Sequence, residues 1–159
     1  MGMTGNYVAV DDKILQQVIN QELDIPDIDP EQYPTLDIDK SWQAINFLLY
    51  GDIDEGESPL GYVVPMMVDN HIEADMEYGA FFLTASQVVD AYQHIKDISE
   101  SELKGMYEFD SFVENEIYPV VEDEDADDFF SYLYENFKAI QEFYQSASEK
   151  GLGVVFYIM

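Results

Sequence analysis

Leu36-Asp-Ile-Asp-Lys-Ser-Trp-Gln-Ala-Ile-Asn-Phe-Leu-Leu-Tyr-Gly51 is the stretch whose reading decides the fold. Trp42, Ile45 and Leu49 recur at i, i+3 and i+7, which sets them on one face of a helix, and Phe47 and Leu48 widen that face. Asp39 stands where an N-cap carboxylate would accept the free amides of a first turn. Gly51 follows as a left-handed stop. Trp42 is the only tryptophan, and a buried indole anchors a large part of a core. The expectation is a central amphipathic helix with Trp42 inside.

On its N-terminal side, Asn6–Val10 alternates as a first strand. Asp11 caps a helix reaching about Asn20, with Ile14, Leu15, Val18 and Ile19 on its apolar side. Glu22–Thr35 carries Pro26, Pro30 and Pro34 among alternating acids, so it reads as an extended, irregular connection.

On the C-terminal side, Asp52–Ser58 is an acidic turn. Pro59–Met67 is an apolar run that reads as a strand confined by Pro65 to an edge or an end. Val68–Glu77 is a polar loop and Ala80–Leu83 a short buried strand. Thr84-Ala-Ser-Gln87 and Ser99-Glu-Ser-Glu102 open helices in the capping-box pattern. Asp110–Tyr118 is a further helix, ended by Pro119. Phe130, Leu133, Phe137, Ile140, Tyr144 and Ala147 form the core stripe of a long helix, about Ala126–Lys150. Gly153–Met159 is an apolar last strand without a charge, which must lie inside a sheet to avoid aggregation. There is no internal repeat and no linker. These elements describe one α+β domain over residues 1–159, a small mixed or antiparallel sheet packed with several helices.

Composition narrows the function more than any motif does. The 159 residues can bury roughly 70% of the unfolded surface, and 47% are hydrophobic, so a packed core is expected. Thirty-four acids face six bases, for a net charge of −28. All six bases are lysines, so no guanidinium fork is present to hold phosphate. Nucleic acid and anionic membranes are repelled at long range, and a basic protein is the favoured partner. No apolar run approaches the ~20 residues of a membrane span. The opening Met-Gly-Met-Thr-Gly-Asn lacks the basic and apolar regions of a signal peptide. With no cysteine, these features predict a cytoplasmic protein.

Met1–Tyr7, Leu36–Gly51, Tyr78–Thr84, Ile117-Tyr-Pro119, Phe143-Tyr-Gln-Ser-Ala147 and Gly151-Leu-Gly-Val-Val155 together resemble the YfbM-like family, small bacterial proteins of unknown function. The resemblance spans essentially the whole chain. It implies a single α+β domain in a bacterial cytosol and supplies no reaction. Two departures stand out. Relatives often carry histidine at the places of Gln43 and Asn46, and a Gly-Pro-Ala-Arg run where this chain has Gly79-Ala-Phe-Phe82, one residue shorter before Leu83-Thr84. Histidine- or arginine-dependent chemistry at those places is closed to this chain.

Candidate chemistry is sparse. Gln43 and Asn46 lie one helical turn apart and can hydrogen-bond a ligand, but amides are poor acids and bases. His71 and His94 lack the spacing of a metal pair. Gly56-Glu-Ser-Pro-Leu-Gly61 misses the Gly-x-Ser-x-Gly elbow by one residue and follows no strand. Asp52-Ile-Asp-Glu-Gly-Glu57 lacks the glycine at loop position six and the glutamate at position twelve that an EF-hand calcium loop requires. Gly151-Leu-Gly153 precedes a strand, the wrong context for a phosphate loop. No catalytic residue, metal ligand or cofactor is nominated, which leans away from an enzyme. The leading reading is a non-enzymatic interaction or neutralising protein for a basic partner, which would meet Glu122, Asp123, Glu124, Asp125, Asp127 and Asp128. The alternative is a small-molecule-binding or enzymatic domain with a pocket near the 36–51 helix, at Asp39, Gln43, Asn46 and Tyr78. The ordinary role of such acids is a solvated face.

The charge generates a first prediction. Screening confines repulsion to ~8–10 Å at physiological salt, so added sodium chloride should raise Tm. Calcium or magnesium at matched ionic strength should do no more. Thermal melts check this, and a far larger divalent effect would reveal a dedicated cation site.

Overall fold

Gly153–Ile158 has no charged residue because it has no solvent-facing side. A computed structural model describes residues 2–51, 60–74 and 76–159. Among these, five strands form one antiparallel sheet: β1 (Gly5–Val10), β2 (Thr35–Asp37), β3 (His71–Ile72), β4 (Ala80–Leu83) and β5 (Gly153–Ile158), in the order β2-β1-β5-β4-β3. The last strand is the centre of the sheet, as its composition demanded. Tyr7 and Phe81 flank Phe156 in register from either side. The Tyr7 and Phe156 rings sit 4.8 Å apart, a cross-strand aromatic contact of the stabilising kind.

Six α-helices complete the described residues: α1 (Asp12–Ile19), α2 (Trp42–Tyr50), α3 (Ala85–Ile95), α4 (Glu100–Met106), α5 (Phe109–Glu114) and α6 (Ala126–Glu149). The sheet is covered on both faces. Tyr7, Ala9, Leu83, Val154, Phe156 and Ile158 face the large core built with α2 to α6. Val8, Val10, Ala80 and Val155 face a smaller core with Leu15 and Val18 of α1 and with Ile25 and Ile28. Strands buried on both sides need no polar alternation. The fold is one α+β domain.

Local chemistry starts and stops several of the helices as read. Asp11 accepts the Ile14 amide at 2.9 Å. Thr84 and Gln87 form a reciprocal capping box. Ser99 Oγ accepts the Glu102 amide at 3.1 Å. The α6 stripe from Phe130 to Ala147 is buried throughout. Gly51, with φ of 84°, ends α2 in the left-handed region that glycine adopts freely.

Four readings require correction. Asp39 does not cap α2: it has φ of 53° and opens a 3-10 turn, Asp39–Ser41, and α2 starts at Trp42. The chain enters this turn directly from β2, a strand hidden inside the decisive stretch. Asp37 accepts the Asp39 amide at 2.7 Å, and Ser41 Oγ donates to the Ile38 carbonyl at 2.6 Å. The apolar run after Pro59 is no strand. It forms a 3-10 turn, Leu60–Tyr62, with Val63 and Val64 buried beneath it. The loop before β4 contains the two-residue β3. The helix at Asp110–Tyr118 is α5, which already ends at Glu114. The acidic turn, the calcium-like run and most of the elbow-like run fall in residues 52–59, outside the described residues.

Trp42 is 8% exposed, and its Nε1 donates to the Met3 carbonyl at 2.9 Å. Gly5 lies against it so closely that a Cβ there would stand 2.9 Å from the Trp42 Cβ. Trp42→Ala is therefore expected to cost ~3–5 kcal/mol in chemical denaturation, as other large aromatic truncations in cores do. The native tryptophan emission should be blue-shifted from that of indole in water.

Candidate functional site

Of the four residues nominated for a pocket, only Tyr78 lines the groove beside Tyr118, and Gln43 stands behind it, bonded to the Tyr118 backbone. Gln43 projects from the first turn of α2, and its Oε1 accepts the Tyr118 amide at 2.7 Å. The Tyr118 hydroxyl accepts the Met3 amide at 2.9 Å. Trp42 completes the cluster, its ring 6.0 Å from that of Tyr118. Tyr118 and the half-exposed Tyr78 then line one open groove of about 570 Å³ with Gly2, Met3, Glu77 and Met159.

Asp39, Gln43 and Asn46 are not among the lining residues. Asp39 is exposed and accepts the Tyr132 hydroxyl at 2.7 Å, while that hydroxyl accepts the Lys40 amide at 3.0 Å. Burial, then the bond to Asp39, pushes the Tyr132 phenol well above its ordinary pKa. Asn46 is buried at 3% exposure, with its Oδ1 unpartnered. One helical turn separates Gln43 from Asn46, yet the first faces the groove's wall and the second belongs to the interior. Tyr118 was missed as a centre because the sequence placed it only at the end of a helix before Pro119. The signal was Ile117-Tyr-Pro119, which served only to mark the family.

The two histidines lie apart. His71 is exposed on β3 with its ring 5.5 Å from that of Phe81, and His94 Nδ1 lies 2.8 Å from the Asp90 carbonyl. Among the described residues, no group of three or more His, Asp or Glu side chains could hold a metal ion.

The acids nominated for a partner stand together where α6 begins. Glu122, Asp123, Glu124, Asp125, Asp127 and Asp128 are all exposed. Asp125 is the N-cap, and its Oδ1 accepts the Asp127 and Asp128 amides at 3.0 Å each. Placing carboxylates here is favourable, because the helix dipole presents its positive end. Folding also brings in a lysine that is distant in sequence. Lys104 Nζ lies 3.5 Å from Asp127 Oδ1, with both side chains exposed, and this is the one ion pair among the described residues. Such a pair contributes little. Nearby, Tyr107 donates to the Ala126 carbonyl at 2.7 Å. Its phenol is pushed up to about 12 by burial, then by Asp127, Glu124 and Asp125.

The family model described as "Domain of unknown function (DUF1877)" matches residues 1–157. The chain belongs to the DUF1877 family. Its fold is that of YfbM from Escherichia coli, a protein of unknown function whose crystal structure matches with a TM-score of 0.78. That match covers 98% of this chain and 99% of the other, at 20% sequence identity. The YfbM-like resemblance read from the residues stands. No curated protein matches the chain. No described helix of this DUF1877 member is long and apolar enough to cross a membrane.

The tyrosines generate a pH prediction. Tyr7, Tyr107, Tyr132 and Tyr144 all titrate above the ordinary 10.0 in the folded chain, with burial the leading cause in each. Folded pKa values raised above the unfolded one mean that the folded state holds its protons longer. This stability is fully present below pH ~10 and is lost as pH rises through the folded values. Denaturation midpoints should therefore fall between pH 10 and 12. Tyrosinate absorbance should rise together with unfolding, and Tyr107→Phe should lessen the loss.

Proposed function

We propose that this DUF1877 protein is a cytoplasmic, non-enzymatic interaction protein that recognises a basic protein through its acidic surface. The observation that carries the reading is the run from Glu122 to Asp128: six exposed carboxylates with a single exposed lysine, Lys104, paired to one of them. The net charge of −28 adds a long-range field of the same sign. Such a field raises the rate at which a cationic partner arrives and makes that rate salt-dependent. Counter-charges within the protein would have muted it, and here they do not.

The reading is tested with the run converted to Gln and Asn at Glu122, Asp123, Glu124, Asp125, Asp127 and Asp128. Asn at 125 keeps a capping side chain, so the fold should persist with a stability change of roughly 1 kcal/mol or less. A basic protein retained from a cytosolic extract at low salt and released at high salt, then purified, should associate more slowly with the variant. Its rate should also depend less steeply on salt. Equal binding of both forms at every salt concentration would overturn the proposal. The pocket reading, with the Tyr118 groove as its site, would then move ahead.

A further inference from the structure

The groove beside Tyr118 is built on rigid strand ends. The Thr4 amide donates to the Met159 carbonyl at 2.7 Å, and the Met159 amide returns a bond to the Thr4 carbonyl at 3.0 Å. These two bonds extend the β1–β5 ladder and set Met3 beside the end of β5. On the other edge of β5 the Ile158 amide donates to the Gly79 carbonyl at 3.1 Å. Gly79, with φ of 105°, turns the chain there in a conformation that a side chain would resist, and Tyr78 and Glu77 come to the groove. Walls held by backbone ladders are ordered before a ligand arrives, which lowers the cost of binding.

The lining has a definite chemistry. Tyr78 and Tyr118 supply aromatic faces, Met3 and Met159 supply polarisable thioethers, and Glu77 supplies a carboxylate. Tyr78 is 46% and Met159 60% exposed, so both offer apolar surface to a ligand. Glu77 is exposed and joins no ion pair among the described residues. An anion would meet Glu77 and the surrounding negative field. A long aliphatic cation suits all of the walls at once, because its methylenes pack on the rings and sulfurs while its charge meets π faces and carboxylate.

We infer that this groove is a socket for a lysine side chain of the basic partner, the stem lying between Tyr78, Tyr118 and the two methionines and the ammonium at Glu77. The inference rests on the acidic-surface reading and names the contact that would anchor the partner after the field has steered it in. Lys40 opposes it. The Lys40 stem passes Gly2 so closely that a Cβ there would overlap it and the Tyr118 hydroxyl.

The test uses the intact chain with methyl-labelled methionine, observed by NMR in ~0.5 M sodium chloride, where diffuse surface attraction is screened. Nα-acetyl-lysine amide is the probe and Nα-acetyl-norleucine amide its uncharged counterpart. The lysine probe should shift the Met3 and Met159 methyls saturably, at least about threefold more tightly than norleucine. Tyr78→Ala and Glu77→Gln, both at exposed positions, should each weaken it by about threefold to fivefold, and Tyr78→Phe should restore binding. Lys40→Met should tighten it. Equal binding of the two probes, or no shift at either methyl, would overturn the socket. The two readings fail separately. If oligolysine still binds the native chain but not the form neutralised at 122–128, with no groove shift, only the socket falls. If oligolysine fails to bind at low salt, both fall.

Discussion

The carbonyl oxygen of Val63 accepts hydrogen bonds from two buried phenols, Tyr7 at 2.6 Å and Tyr144 at 2.9 Å, and Tyr144 also reaches the Tyr62 carbonyl at 3.0 Å. Tyr7 belongs to the sheet and Tyr144 to the longest helix, so this oxygen ties both to the segment that follows α2. Their rings lie 6.0 Å apart edge-to-face, with Phe143 and Phe156 packed around Tyr7. A backbone carbonyl buried without a partner costs ~1–3 kcal/mol, and two donors here remove that cost without a strand. This explains why the apolar run after Pro59 is no strand. Side-chain hydroxyls meet the Tyr62 and Val63 carbonyls, so these two groups need no ladder.

With α6 held in this way, its buried stripe packs chiefly on α3 and meets the sheet through Tyr144 and Tyr7, with Phe129 and Phe143 buried beside it. The helix therefore does two things with one sequence. Its apolar positions supply much of the large core, and the densest run of acids leads into its first turn. The acids cost little where they stand, because the N-terminal dipole and the Asp125 cap stabilise them locally. Their repulsion acts on the whole chain. Native stability is a small difference between large terms, and a core closed on both faces of the sheet is what lets a charge of −28 be carried at all.

Much of this was legible from spacing and capping. The Trp42 helix face, the α6 stripe, the Asp11, Thr84 and Ser99 caps and the interior place of β5 follow from local periodicity and side-chain chemistry. What failed depended on long-range partners. β2 is three residues long and exists because β1 pairs with it, so no period of two could reveal it. Asp39 looked like a cap because an acid preceded an apolar helix. Asp37 instead takes the Asp39 amide, and Asp39 itself binds Tyr132, 93 residues away. The candidate site fared less well for the same reason. Of the nominated residues only Tyr78 lines the groove, and Gln43 reaches it no further than the Tyr118 backbone, 75 residues away.

Tyr118 also limits what that site can do. Gln43 Oε1 is committed to a backbone amide and the Tyr118 hydroxyl receives another, so both side chains first serve to hold the N-terminal strand against α2. An amide acceptor locked in this way cannot shuttle protons. The Tyr132 phenol, raised by burial and by Asp39, stays protonated across the physiological range and can donate but not abstract. What the groove presents outward is shape, aromatic surface and the exposed carboxylate of Glu77. Those are means of holding a ligand, and backbone-held strand ends set them in place around Tyr118.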